Sequence, residues 1–547
     1  MANERTGRRK FWFWAAVSGV VSAGVFLAAA ELVALLVAPD GSPILAVGSF
    51  VIDIVPQPFK EFAIATFGEY DKVALLVGLA LAVLVASAVA GLLQYLRRPL
   101  GVVALVIAGG VSVAAVVTRA GASPFAAIPP IAGTIAGCLI LWFLATRLRR
   151  WSTASIDSAP QVSADAEPVA ATAQPVERPT VHPKGTAAPA TVDRRMFFRV
   201  TAIAGASALI IGVGARAVIN ATAGSISAVR KALNLPAPRT VVTIPAGAEL
   251  DIPGISPLFT PNADFYRVDT ALTVPSVDPG TWRLVIDGMV DQRVELTFDD
   301  LVGMGVNEYA ITLTCVSNEV GGDLLGNAVW LGVPIREVLK LAGPKSGADM
   351  VLSRSIDGFT ASTPLESLTD DGLDAILAVG MNGETLPLEH GFPVRMVVPG
   401  LYGYVSATKW LSELKVTTFD ADEAYWTPRG YSAKAPVKFS SRLDTPRTGE
   451  AIPAGRTPVA GVAWAQTVGI DRVEVSIDDG DWQAATLSSP INEDTWVQWF
   501  VDWDATVGTH YVAVRAVNKN GDVQIEERAP IAPDGSTGWQ RTLIRVT

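Results

Sequence analysis

Five long apolar runs dominate the first 220 residues, at about 11–38, 73–96, 100–118, 124–146 and 197–217. Each has close to the roughly 20 residues that a helix needs to cross a hydrocarbon core, so each is predicted to span a membrane. Basic clusters orient them. Arg5, Arg8, Arg9 and Lys10 precede the first run, Arg97 and Arg98 follow the second, Arg147, Arg149 and Arg150 follow the fourth, and Arg194 and Arg195 precede the fifth. With five spans, every cluster falls on the cytoplasmic side of a cytoplasmic membrane. The amino terminus is then cytoplasmic, and everything from about residue 222 onward lies outside. The apolar piece Ile44–Val55, followed by Pro56 and Pro58, is too short to span and is expected at the outer surface.

Residues 151–193 are rich in Ala, Pro, Thr, Val and Glu and poor in aromatics, the composition of a disordered linker. The linker ends in Asp193-Arg194-Arg195-Met196-Phe197-Phe198-Arg199, directly before the fifth run. This looks like an internal twin-arginine export motif, although two arginines also satisfy the charge rule for cytoplasmic loops. Export of that kind handles folded proteins and suits a domain loaded with a cofactor before crossing. The expected division is a four-helix membrane region (1–150), a linker (151–195) and a fifth transmembrane helix (196–218). Glu31, within the first run, either marks a proton or partner site or reaches water near the outer end. The three histidines, His182, His390 and His510, all lie outside the spans, so this chain is not expected to build a bis-histidine membrane haem.

Beyond residue 240 the texture is that of a globular protein. Trp282–Gly288, Ala375–Met381 and Val394–Val398 read as strands. Leu296–Leu301 starts a helix capped by Thr297, and Arg336–Leu341 is another short helix. The absence of a regular βαβ period argues for an α+β domain over 240–448. From 449 to 547 the pattern alternates over Val473–Asp478, Trp496–Trp503 and Tyr511–Val517, with Asp479-Gly480 as a turn. Such spacing predicts an immunoglobulin-like β-sandwich, expected to serve support or assembly.

The formal net charge of −10 gives no reason to expect a nucleic-acid partner. The chain has two cysteines. Cys138 lies in an apolar run, which leaves Cys315 as the single thiol beyond the spans. It follows the apolar alternation Ile311-Thr312-Leu313 and precedes a polar, glycine-containing loop, Ser317-Asn318-Glu319-Val320-Gly321-Gly322. At the carboxyl end of a strand it is core filler, nucleophile or metal ligand.

The Cys315 segment, Trp330-Leu331-Gly332-Val333-Pro334, the stretch Leu386–Gly400 (LPLEHGFPVRMVVPG) and Lys409-Trp410-Leu411 together resemble the sulfite oxidase family of molybdopterin-dependent oxidoreductases, in its bacterial membrane-anchored branch. The resemblance covers roughly 255–545. It implies a multi-span α-helical membrane region followed by an α+β sulfite-oxidase-type molybdopterin domain and the β-sandwich. It also implies mononuclear molybdenum on a single pterin, with the Cys315 thiolate as metal ligand. His390, Arg395 and Lys409 would offer donors and positive charge to the pterin phosphate, and Asn318 a polar contact nearby. Tyr431, spaced from Trp426 as in the family, would be a donor beside the metal, with Tyr266 or Arg267 also facing the substrate.

Two departures concern charge. The family's substrate arginine, followed by asparagine and histidine, is replaced here by Val268, Asp269 and Thr270, with Arg267 one place early. One place in extended chain reverses a side chain. After Asn318, where two arginines are frequent, this chain has Glu319 and Val320. The expected activity is therefore oxygen-atom transfer on a small S- or N-centred substrate outside the membrane, with sulfite dehydrogenation as one alternative and a non-enzymatic tethered scaffold as another. Lacking a Cys-x-x-Cys-His motif or a cysteine set for a cluster, the chain is expected to carry no haem or iron–sulfur centre and to use a separate electron-transfer protein or quinone-linked membrane partner. Membrane lipid, and a homodimer formed through the sandwich, complete the expected partners.

Overall fold

The computed structural model describes residues 2–37, 47, 48, 50, 51, 66, 71–118, 125–157 and 189–547. They divide into two compact units, Met1–Ala221 and Thr222–Thr547.

The first unit is helical: α1 (Ala2–Val37), α2 (Asp71–Leu96), α3 (Leu100–Val117), α4 (Ile128–Asp157) and the leading part of α5 (Pro189–Ala232). Five segments are long and apolar enough to cross a membrane, namely Arg9–Val37, Val73–Leu96, Leu100–Val117, Ile128–Ala154 and Asp193–Gly214. They are the five that hydropathy predicts. α1 and α2 meet backbone to backbone. A Cβ on Gly91 would overlap the Ala15 carbonyl and stand 2.7 Å from the Gly19 nitrogen. Small residues permit this approach, which is how helices associate where lipid is as apolar as they are.

α4 runs to Asp157 and α5 begins at Pro189, so both ends of the stretch expected as a linker are helical. Residues 158–188 and most of Ile44–Val55 lie outside the described residues. The arginine-pair segment is helical and packed rather than a lead-in to a helix. Phe197 is fully buried against Ala15, Leu144 and Trp151, Arg194 lies 5.6 Å over the Trp151 ring, and Asp193 pairs with Arg147 at 2.7 Å. Glu31 is buried, at 8% exposure, rather than turned out to water.

In the second unit, residues 233–282 run without helix or strand. Two sheets follow, the first mixed and the second antiparallel. One has the order β2 (Val294–Thr297), β1 (Arg283–Gly288), β10 (Leu411–Thr417), β5 (Met350–Ser355), β6 (Thr360–Pro364). The other runs β3 (Asn307–Thr314), β4 (Leu325–Pro334), β7 (Ile376–Met381), β8 (Glu384–Thr385), with β9 (Arg395–Val397) on β7. Only the β1–β10 pair in these sheets is parallel. Both sheets contribute to one core, Leu284, Ile286, Leu414 and Val416 from the first and Val333, Leu377 and Val379 from the second. Four short helices connect the strands: α6 (Phe298–Gly303), α7 (Ile335–Ala342), α8 (Leu365–Thr369) and α9 (Gly403–Ser406). α6 begins at the expected cap. Thr297 Oγ1 accepts from Asp300 N at 3.1 Å, and Asp300 Oδ2 accepts from Thr297 N at 2.9 Å.

The remaining strands form two facing sheets. β11 (Ser440–Thr445), β13 (Gly455–Trp464), β17 (Val497–Ala505) and β16 (Thr486–Leu487) make one. β12 (Ala451–Ile452), β19 (Gln540–Val546), β18 (Gly508–Asn518), β14 (Ile470–Ile477) and β15 (Gln483–Ala484) make the other. Val459 and Trp499 of the first meet Val473, Val512 and Ile544 of the second in a shared core. β11 starts ahead of residue 449, so these sheets take in chain that composition assigned to the preceding domain. The turn after β14 is also one place earlier than expected. Asp478 and Asp479, at φ +53° and +56°, take the left-handed positions that Asp tolerates.

Candidate functional site

β3 ends at Thr314 and delivers Cys315 to the start of a tight loop. Cys315 N donates to Leu324 O at 2.9 Å, and Asn318 N donates to Cys315 O at 3.0 Å, so the loop folds back onto β4. Cys315 is buried, and its Sγ accepts from Ser317 N at 3.4 Å. Burial pushes the thiol above its ordinary pKa, with the Ser317 contacts opposing.

The Leu386–Gly400 stretch is pinned by its neighbours. Arg395 opens β9 opposite Ala378 of β7, and Met396 N donates to Thr408 O at 2.9 Å. Trp410 holds φ +49°, a left-handed conformation that costs a non-glycine residue roughly 1–2 kcal/mol. Its burial and the bond from its Nε1 to Leu388 O, 2.9 Å, hold it there. That conformation sets the direction of Lys409 immediately before it.

Cys315, His390, Arg395, Lys409, Tyr266 and Tyr431 all line one cavity of about 910 Å³, a volume that includes its open mouth. The three basic residues are not electrostatically alike. His390 faces the Asn262 carbonyl through Nε2 at 3.0 Å. A carbonyl only accepts, which assigns the ring proton to Nε2. Burial, aided by the Arg395 charge, lowers the His390 pKa to about 4. His390 is neutral. Lys409 Nζ donates to Asp269 Oδ2 at 2.8 Å and to Glu389 O at 3.1 Å. Burial lowers its pKa to about 8 against the opposing pull of Asp269. Lys409 is a compensated cation.

Arg395 differs from both. Only 5% exposed, it bonds to three carbonyls, His390 O at 3.2 Å, Met396 O at 3.3 Å and Ala407 O at 3.4 Å. Its guanidinium lies 5.1 Å over the Trp330 ring. Among the described residues no carboxylate stands within salt-bridge distance of it. Burial lowers its pKa to about 10. A guanidinium so buried is costly until an anion meets it.

Tyr266 is stacked on Phe265, ring centroids 5.3 Å apart, and a Cβ on Gly403 would stand 3.8 Å from its hydroxyl. Burial first, then Cys315, raise its pKa, so the phenol stays protonated. Tyr431 packs edge-on against Trp426 and Tyr404, at 5.2 and 5.5 Å.

Two expected site residues are not brought to the cavity. Arg267 does not line it; its side chain is 38% exposed and its Nε donates to Asp269 Oδ2 at 2.9 Å. The alternation of extended chain turns Tyr266 and Val268 inward and Arg267 away. Asn318 does not line it either, because its Oδ1 accepts from Leu324 N at 2.9 Å inside its own loop. Conversely, Asp357 and Phe359 line the wall, with Thr270 Oγ1 3.2 Å from Asp357 Oδ2. Asp357 and Gly358 lie in the turn between β5 and β6, and no local pattern tells that this turn meets residues 265–270.

A lone buried sulfur donor and an uncompensated buried guanidinium around one cavity fit a metal carried on a phosphate-bearing cofactor. Residues 271–426 match the oxidoreductase molybdopterin binding domain. The chain is 30% identical over 339 residues to the mitochondrial sulfite oxidase of Homo sapiens, covering 53% of this chain and 62% of that one. It is 29% identical over 335 residues to the sulfite oxidase of Gallus gallus, covering 52% of this chain and 72% of that one. The chain carries a molybdopterin-binding oxidoreductase domain and is similar to sulfite oxidases. Its match to the human relative spans less than two thirds of that protein's length. Among solved structures it is similar to the sulfane dehydrogenase SoxCD from Paracoccus pantotrophus, at 23% identity and TM-score 0.48, covering 56% of this chain and 86% of that one. The matched segment includes Cys315, His390, Arg395 and Lys409, whereas Tyr266 precedes it and Tyr431 follows it.

Proposed function

We propose that this chain is a membrane-anchored mononuclear molybdenum oxidoreductase that moves an oxygen atom to or from a small S- or N-centred substrate. The observation that carries the reading is the placement of Cys315 in one cavity with Arg395, a buried cation with no carboxylate on it. In this reading Cys315 is the protein ligand to molybdenum, and Arg395 carries the charge that holds the pterin phosphate. Lys409 contributes a remaining N–H rather than a net charge. Neutral His390 has its proton committed to Asn262, so it supports Arg395 through its backbone oxygen. When bound, the cofactor supplies the metal that exchanges the oxygen atom and two electrons. The phenols of Tyr266 and Tyr431 would donate to substrate oxygen as it approaches or leaves.

The charge balance supports a neutral or zwitterionic S- or N-oxide over a dianion. Val268, 48% exposed, lines the cavity beside Asp269 and Asp357, and Lys409 is already balanced. Loading would shield Arg395 with phosphate, leaving little positive field for sulfite. The basic clusters support a cytoplasmic amino terminus and an extracytoplasmic catalytic domain, which begins near 240 and is followed by an immunoglobulin-like domain whose first strand starts at Ser440. The helices of 1–150 exceed what anchoring requires and would dock a separate electron-transfer protein or quinone-linked partner. Self-association through the carboxy-terminal domain would give a homodimer.

Molybdenum per chain in purified protein tests the ligand assignment. Cys315→Ser should lower it sharply, and an unchanged content would sink the reading. Val268→Arg should strengthen binding of sulfite-like anions by about 1–3 kcal/mol, the worth of a charge-assisted bond. Rates for sulfite and neutral oxides, measured side by side with an artificial mediator, decide the substrate class. Efficient sulfite turnover at micromolar concentration by the unmodified chain would overturn the charge argument.

A further inference from the structure

The loop that carries Cys315 is not held by its own domain alone. Within the loop, Asn318 N bonds Cys315 O at 3.0 Å, and Asn318 Oδ1 takes Leu324 N at 2.9 Å. The outer side of the same loop is gripped from the carboxy-terminal sheets and the segment leading into β19. Ser536 Oγ donates to Asn318 O at 2.7 Å. Arg442 of β11 donates through one guanidinium nitrogen to Gly322 O at 3.1 Å. Its other two nitrogens are fixed by Asp444, 2.6 Å, and Ser256 Oγ, 2.7 Å. Gln540 packs over Gly321, where an added Cβ would stand 2.9 Å from Gln540 Cδ. Gly321 itself has φ +83°, so both the turn and this approach require glycine. Gln540 is held in turn by Leu443 N on its Oε1, at 2.8 Å.

These contacts form a short path, Ser536 to the Asn318 backbone, and Asn318 to the Cys315 backbone. A loop whose one face lines a cavity and whose other face is hydrogen-bonded to a second domain takes its geometry from that domain. We propose that Ser536 is a positioning residue for Cys315, assisted by Arg442 and Gln540, and that the carboxy-terminal domain is thereby part of the metal site. The proposal rests on the reading of Cys315 as metal ligand. It assigns that domain a role beyond assembly: it fixes where the sulfur stands.

The test uses full-length protein in detergent, with Ser536→Ala, Ser536→Thr and, as a control, Asn492→Ala. Asn492 Nδ2 bonds Ala310 O at 2.9 Å, so the control cuts a contact between the same two domains away from the loop. Amide hydrogen exchange over 315–324 should speed up about two- to tenfold in Ser536→Ala, the opening that loss of one hydrogen bond produces. The molybdenum(V) paramagnetic signal of the partly reduced protein should shift its g-values in Ser536→Ala, return in Ser536→Thr, and stay native in Asn492→Ala. Unchanged exchange and unchanged g-values in Ser536→Ala would overturn the proposal, as would an equal response in Asn492→Ala. Failure of the ligand reading itself is separable, because Cys315→Ser would then retain its molybdenum while the exchange measurement still judges the clamp.

Discussion

Replacing Arg395 by methionine should separate what the guanidinium does for the cofactor from what it does for the fold. In the unliganded protein the charge is held at a cost. Burial brings its pKa down to about 10 from the ordinary guanidinium value, which corresponds to roughly 3 kcal/mol against the charged form. Arg395→Met removes that penalty but leaves His390 O, Met396 O and Ala407 O without their donor. At about 1 kcal/mol for each of these long bonds from guanidinium to carbonyl, the two effects nearly cancel. Methionine also fills much of the same apolar stem space over Trp330. Cofactor-free protein should therefore keep its unfolding midpoint to within a few degrees. Cofactor retention should not survive so well. One or two charge-assisted bonds to phosphate, each about 1.5–3 kcal/mol, predict retention weaker by at least tenfold. The assay is molybdenum and pterin per chain after repeated dialysis, beside thermal unfolding of the cofactor-free form. Full retention in Arg395→Met would refute the anion-site argument. A collapse in stability comparable to a core truncation would refute the claim that this charge is unpaired at a cost.

Two further outcomes follow from the same charge analysis. Asp269→Asn leaves the Lys409 ammonium buried without its carboxylate, and should destabilise the cofactor-free protein by about 3 kcal/mol in denaturant unfolding; a change under 1 kcal/mol would mean Lys409 finds water instead. His390, lowered from 6.5 to about 4, contributes stability present above its unfolded pKa and lost as pH falls from about 6.5 toward 4, by roughly 3 kcal/mol in all. A His390→Asn variant should show a correspondingly shallower acid limb, and identical limbs would indicate that His390 titrates normally.

Much of the architecture was legible because it depends on periodicity. The five spans, the Thr297 cap and the strand ending at Cys315 follow from local pattern and composition. What escaped reading depends on which segments meet. Lys409 reads as a cation by type, yet its partner Asp269 is 140 residues away, and only the fold brings their atoms to 2.8 Å. Arg267 and Asn318 are polar residues in the right segments, but a two-residue alternation and a six-residue side-chain turn direct them elsewhere. The boundary near 449 misplaced β11 because an isolated strand carries no mark of the sheet it will join.

That Thr222–Thr547 contains a single sulfhydryl makes this unit its own reporter. A mercurial, a nitroxide or a fluorinated alkyl group would attach at one point only, on the wall of the cavity itself. Occupancy of the cavity could then be followed in purified protein as protection of that point, with Cys138→Ser removing the one other thiol of the chain, which is part-buried in the other unit.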